Sequence, residues 1–163
     1  MKSSRKTTGN SPSDLFFRVK DSKVHGKGVF ASRKISAGTQ IIEYQGKRIT
    51  EKQADKRFGL DPDNPFHTFF FSLENGKMID GGDEGNDARW INHACDPNCE
   101  AKEEKGRVFI HALKDILRGV ELCYDYGLII DQRMTKKLKA SYACRCGSDT
   151  CCGTMLAIKK RSK

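Results

Sequence analysis

Asn92-His93-Ala94-Cys95-Asp96-Pro97-Asn98-Cys99, entered through the apolar pair Trp90-Ile91, is dense in asparagine, aspartate and proline. Side chains of this kind bond their own backbone, so the stretch reads as a tight loop rather than a strand or helix. Further along, Glu121-Leu122-Cys123-Tyr124-Asp125-Tyr126-Gly127 closes an apolar strand expected over 120–126, with two tyrosines one residue apart. Alternation along a strand puts both rings on one face. Two hydroxyls on one face at a strand end make the lining of a polar slot.

Outward from these stretches the chain reads as short strands joined by turns. Residues 15–20 are apolar enough for a first strand, and 21–28 are rich in turn formers. Gly26-Lys27-Gly28 precede the apolar Val29-Phe30-Ala31, and glycines there permit positive φ and close approach of the backbone to a ligand. Residues 40–44 form a β-branched strand closed by Gly46. A helix is expected over 50–60, with Thr50 and Gln53 as a capping box and Asp61-Pro62-Asp63-Asn64-Pro65 as its stop. Residues 68–73 and 78–80 read as a hairpin about Asn75-Gly76, the strongest short hairpin signal. A short helix over 86–91, a strand over 107–112 and a helix over 132–138 complete the reading, with no internal repeat. Many short strands of this kind argue for a mainly β fold with few short helices.

Length and composition bound the rest. A chain of 163 residues is one domain by ordinary size, and 37% hydrophobic residues suffice for a core. Residues 1–14 lack periodicity and read as a flexible basic tail. No apolar run approaches the ~20 residues of a membrane helix, and Met1-Lys2-Ser3-Ser4-Arg5-Lys6 has no apolar stretch behind it, so neither a membrane segment nor a secretory signal is expected. The net charge of +9 leaves two readings open: a plain basic surface, or contact with nucleic acid or chromatin. Seven cysteines, four of them within 144–152, fit a secreted disulfide framework poorly. Cys144-x-Cys146-x4-Cys151 reads better as zinc thiolates in a reducing intracellular compartment, which leaves a nuclear location open.

Asn92 to Cys99 followed by Glu121 to Gly127 resembles the paired signature of the SET-domain protein lysine methyltransferases. Gly26 to Ala31 resembles that family's N-terminal glycine motif, and Cys144-Arg145-Cys146 with Cys151 resembles its post-SET zinc motif. The resemblance runs from about Phe17 to Leu156. It implies small curved sheets around a pseudoknot-like threaded loop over 15–130, and a zinc-bound post-SET segment over 131–163. It implies S-adenosylmethionine (AdoMet) as methyl donor, contacted by Gly26, Lys27, Gly28, Asn92 and His93, with Phe69 nearby. Tyr126 takes the place of the catalytic tyrosine, Tyr44 that of a wall of the lysine channel, and Tyr124 a position held by Phe or Tyr. Cys95 supplies the fourth zinc ligand, leaving Cys99 and Cys152 as free thiols. Met155 and Leu156 lie where related tails cover the cofactor.

Methyl transfer from a sulfonium to an amine is an in-line displacement. It needs a neutral lysine, a straight approach and a site without water. An ammonium with a pKa near ~10 must first lose its proton, and a desolvated channel of tyrosine oxygens favours the neutral amine. The implied substrate is a protein lysine, histone by family default. A hydroxyl at Tyr124 can hold water where a further methyl group would go, favouring mono- or dimethylation. Two other readings stand beside this one: a SET-fold chromatin or nucleic-acid binding module with weak catalysis, and a zinc-knuckle nucleic-acid protein, which leaves the tyrosine pair unexplained. Oligomeric state is not legible.

Overall fold

A computed structural model describes residues 16–57, 69–129, 133 and 135–157. The expected tail at 1–14, the last turn of the first expected helix and its Asp/Pro stop lie outside the described residues. The fold is mainly β and is divided among four small sheets. β1 (Phe17–Asp21) and β2 (Lys27–Ala31) form an antiparallel hairpin. β3 (Gln40–Tyr44), β8 (Cys99–Glu104) and β9 (Arg107–Ala112) form an antiparallel sheet with β9 in the centre. β4 (Lys47–Thr50), β5 (Phe70–Ser72) and β6 (Lys77–Asp80) form another with β6 in the centre. β7 (Asn92–His93) and β10 (Cys123–Tyr124) pair in parallel. A 3₁₀ turn, Asp87–Trp90, and two helices, α1 (Glu51–Arg57) and α2 (Lys136–Ser141), complete the described residues.

Local chemistry accounts for these elements. In β9, Val108, Ile110 and Ala112 alternate inward, as a half-buried strand requires. β3 breaks the alternation, burying both Ile41 and Ile42, because its register against β9 shifts between Gln40 and Ile42; a bulge turns the extra side chain inward. Ile79, Val108, Ile110 and Leu122 are fully buried, each worth roughly 1.5–3 kcal/mol of transfer energy. β8 and β9 are joined by Lys105-Gly106, both at positive φ (49° and 75°), the mirror-image turn whose twist matches a two-residue hairpin. Thr50 and Gln53 form the expected capping box: the Thr50 N–H donates to Gln53 Oε1 (2.9 Å) and the Gln53 N–H to Thr50 Oγ1 (3.2 Å).

Several sequence expectations need correction, the first being that Asn92–Cys99, read as a loop, opens on β7 and ends on the first residue of β8 because distant strands pair with both ends. The strand over 120–126 is only Cys123–Tyr124. Its upstream part bridges β2 instead, with Ala31 N–H donating to Val120 O (2.9 Å) and Leu122 N–H to Val29 O (2.7 Å), so one apolar run serves two partners. Of the helix expected over 132–138, residues 132 and 134 lie outside the described residues; the described helix is Lys136–Ser141, with Thr135 as its N-cap accepting from the Leu138 N–H (3.1 Å). The hairpin arms over 68–73 and 78–80 are Phe70–Ser72 and Lys77–Asp80, because Asn75 and Gly76 close the turn between them. β4 and β8 went unread: β4 buries only Ile49 and β8 only Cys99, so neither shows apolar alternation.

Candidate active site

The two motif stretches meet. Parallel pairing sets Asn92 against Cys123 and His93 against Tyr124, and the Ala94 N–H donates to Tyr124 O (3.2 Å). Buried Asn98 secures the crossing from the side: its Nδ2 donates to Glu121 O (2.8 Å), and its Oδ1 accepts from the Cys123 N–H (2.9 Å). Asn98→Ala would strand both backbone groups in a dry place. We expect it to lower stability by about 2–4 kcal/mol, read as a lower denaturation midpoint at unchanged m-value; a midpoint within error of the parent would show that solvent replaces the amide.

The tyrosines stand together at this crossing. The Tyr124 and Tyr126 ring centroids are 4.8 Å apart, Phe71 lies 6.4 Å from Tyr124, and Tyr44 lies 5.5 Å from Phe71. The Tyr126 hydroxyl donates to the Ile91 carbonyl, which leaves its oxygen lone pairs as acceptors. The Tyr44 hydroxyl donates to Phe69 O (2.7 Å) and packs against Gly81, where a Cβ would come within 2.7 Å of the oxygen. For Tyr124, no hydrogen bond to the hydroxyl is found among the described residues. Burial pushes all three phenols well above their ordinary range, so they are neutral at physiological pH. None is a base; they form a cluster of neutral, packed rings whose hydroxyls act as dipoles rather than charges.

His93 joins this wall to the cysteines. Its Nδ1 accepts from the Tyr126 N–H (3.0 Å), so the ring proton sits on Nε2, which lies 3.5 Å from Cys95 Sγ. Burial holds the imidazole below its ordinary pKa, and Asp125, whose charge acts in the opposite direction, does not reverse this. The Asp125 carboxylate 3.6 Å from Nδ1 therefore faces a neutral ring and is not an ion pair.

The other candidate cofactor residues gather around Asn92 and Trp90. Asn92 Nδ2 donates to Lys27 O (2.9 Å) and Glu121 Oε1 (2.8 Å), with His25 O at 3.4 Å. Gly26 takes positive φ (44°). Gly28 is needed for space: a Cβ there would fall 2.2 Å from Glu121 Oε1 and 2.9 Å from Ser22 Cβ. Phe69 and Lys27 both reach Trp90, the ring edge-on at 5.3 Å and the ammonium over the indole at 5.2 Å. A cleft of about 630 Å³ is lined by Val24, Asn92, His93, Glu121 and the 146–150 loop.

Cys95, Cys144, Cys146 and Cys151 form one cluster, their sulfurs all within 4.8 Å of one another. The Cys95 sulfur is 3.7 Å from that of Cys144 and 3.9 Å from that of Cys151. A tetrahedral zinc with Zn–S bonds of about 2.3 Å wants sulfurs roughly 3.8 Å apart, so the donor set fits zinc. Backbone N–H groups of Cys146, Cys152 and Gly153 donate to these sulfurs at 3.3–3.4 Å, which suits thiolates. Burial pushes the Cys95 thiol up to about 11, so a cation must displace its proton to bind. Cys99 is buried away from the cluster, and Cys152 is exposed with only its N–H turned toward it. Beyond the cluster, the Leu128 N–H donates to Met155 O (3.3 Å) and the Ala157 N–H to Leu128 O (2.8 Å), laying the tail beside the tyrosine motif with Leu156 buried.

Sequence reading passed over Glu121, Asn98 and the Ile91 carbonyl. Glu121 and Asn98 both lie within the motif stretches, but the sequence does not tell which distant groups they bond; the Ile91 carbonyl is marked by no pattern. Residues 26–127 match the SET domain family profile, and the chain belongs to that family. Over 134 residues, 80% of this chain, it is 37% identical to histone-lysine N-methyltransferase 2B of Homo sapiens, covering 5% of that protein. Over 137 residues, 81% of this chain, it is 36% identical to the histone-lysine N-methyltransferase, H3 lysine-4 specific, of Saccharomyces cerevisiae, covering 12% of it. Over 134 residues it is 33% identical to trithorax of Drosophila melanogaster, covering 3%. The chain thus spans a small part of the curated relatives it matches. Among the described residues no helix is long and apolar enough to cross a membrane.

Proposed function

We propose that the chain is an AdoMet-dependent protein lysine N-methyltransferase, with residues 15–130 as its catalytic body and 131–163 as a zinc-held post-SET segment. The tyrosine cluster supports this reading most directly: a neutral Tyr126 hydroxyl, its proton committed to Ile91 O, packed against the Tyr124 ring and buried from solvent. The residues around Asn92 and the 26–28 loop fit a cofactor that carries both backbone-bonded and donor groups. AdoMet, when bound, supplies an electrophilic methyl group on a sulfonium. What the chain supplies is orientation and desolvation: a channel that favours the neutral amine, aims it, and excludes water. The four cysteines would hold zinc in a structural role.

A histone tail is the substrate class that the relatives' names favour, and H3 lysine 4 the first site to examine; a chromatin location follows from it. The test is transfer from labelled AdoMet to core histones and to a cell lysate, with site and state read by mass spectrometry. Labelled histone establishes the reading, and label confined to other lysate proteins moves the substrate elsewhere. Failure to bind AdoMet at all leaves a SET-fold binding module.

Tyr124 sets the product. Its hydroxyl, which takes no hydrogen bond from the described residues, would hold water where further methyl groups would sit, so mono- and dimethyl-lysine should dominate. Tyr124→Phe should shift the distribution toward trimethyl-lysine; an unchanged mass-spectrometric distribution would refute the assignment.

A further inference from the structure

Glu121 lies in the signature yet has no part in the mechanism so far. Its carboxylate makes two sets of contacts. Oε1 accepts from Asn92 Nδ2 (2.8 Å), and both oxygens accept from Ser22 Oγ (2.8 and 3.0 Å). Ser22 in turn closes the 22–28 loop on itself, since its Oγ accepts from the Val24 N–H (3.0 Å) and its N–H donates to Gly26 O (2.8 Å). Glu121 also bears on Gly28, where a Cβ would collide with Oε1. One carboxylate thus ties the glycine loop, the asparagine of β7 and the approach to β10.

The chemistry of Asn92 gives the arrangement a direction. Lys27 O, His25 O and Glu121 Oε1 all face the same end of its amide, and all three only accept. Three acceptors around one end require the NH₂ there, since an amide oxygen would be repelled by each of them. The amide cannot flip, and its Oδ1, which takes no hydrogen bond from the described residues, is presented as a pure acceptor. A ligand group meeting Asn92 must therefore be a donor, and a cation suits it best.

We infer that Glu121 is a positioning residue for the cofactor: it fixes the Asn92 amide nitrogen-inward and holds the 22–28 loop against β7, so that the site presents an acceptor to an ammonium group such as that of AdoMet. This rests on the function proposed above. Glu121 touches no reacting atom, so its loss should fall on cofactor binding rather than on chemistry.

The test uses the full chain and AdoMet itself. Glu121→Ala should weaken AdoMet binding by about 10–100-fold in calorimetry, the range lost with a charge-assisted hydrogen bond. The loss should appear in KM for AdoMet, with kcat at saturation falling less than about threefold. Glu121→Gln keeps an oxygen that can accept from Asn92 or Ser22 and should recover most of the affinity, to within about fivefold of the parent. Zinc content and thermal midpoint, measured alongside, identify a variant that has lost its fold; Ser22→Ala, which removes one contact and leaves the carboxylate, then decides, with a severalfold rise in AdoMet Kd expected. Affinity within twofold of the parent in folded Glu121→Ala, or a fall in kcat with KM unchanged, overturns the inference. A parent chain that binds no AdoMet instead sinks the methyltransferase reading and this inference with it.

Discussion

Tyr126→Phe should lower kcat for methyl transfer by about 10²–10³-fold, the usual cost of one preorganised polar group at a developing charge, while AdoMet affinity stays within a few-fold. The hydroxyl donates to Ile91 O, so its position is fixed from the protein side and its lone pairs remain acceptors. Burial keeps the phenol neutral, so the loss is not that of a base, and raising pH should not restore it. Phenylalanine keeps the ring contact with Tyr124 (4.8 Å) and the packing on His93 (5.3 Å), so the slot keeps its shape. Ile91 O loses its partner at roughly 1–3 kcal/mol, well within the reserve of an ordinary domain. Steady-state kinetics with a calorimetric AdoMet titration separates the two quantities. Turnover within threefold of the parent would place the hydroxyl away from the transferred group.

Removal of zinc should be as damaging, by another route. Metal analysis should find one zinc per chain, and chelation should abolish turnover. The four cysteines come from two distant parts of the chain, with Cys95 in the loop after β7 and the other three in the tail. Structural zinc supplies roughly 10–16 kcal/mol in small metal-bound peptides, comparable to the whole stability of a domain, so the two backbone bonds to Leu128 and the buried Leu156 should not suffice to hold the tail once the ion leaves. His93 carries the damage inward, since its Nε2 faces Cys95 and its Nδ1 receives the Tyr126 N–H. Cys95→Ser should lose zinc, expose the tail to protease and inactivate the enzyme; Cys99→Ser should keep the zinc. Full zinc and full turnover in Cys95→Ser would remove Cys95 from the site.

Much of this was legible because the residues that carry it are unusual in kind. Paired tyrosines, clustered cysteines and an asparagine-rich loop stand out in any chain, and the structure gathers them at one crossing. The Thr50–Gln53 cap was readable because both of its bonds are local. What escaped depends on partners far along the chain. Val120 to Tyr126 reads as one strand by apolarity, but two different neighbours divide it. β8 is charged at four of its six positions and pairs as a strand along the length of β9. Gly28 reads as room for a ligand, whereas the structure fills that room with Glu121 from far along the chain.

The parallel pairing of β7 with β10 has a temporal consequence. Parallel strands cannot be joined by a tight turn, and the intervening segment, which includes the β8–β9 hairpin, must be in place before Cys123 and Tyr124 can dock beside Asn92 and His93. Contacts so distant in sequence form late and slowly, after the loop-closure entropy has been overcome. Asn92 and His93 meet Tyr124 only in that pairing, so the two motifs are joined in a single event. A nascent chain arrested before Tyr124 has no partial catalyst, and refolding followed by cofactor binding and by tyrosine fluorescence should give one shared slow phase.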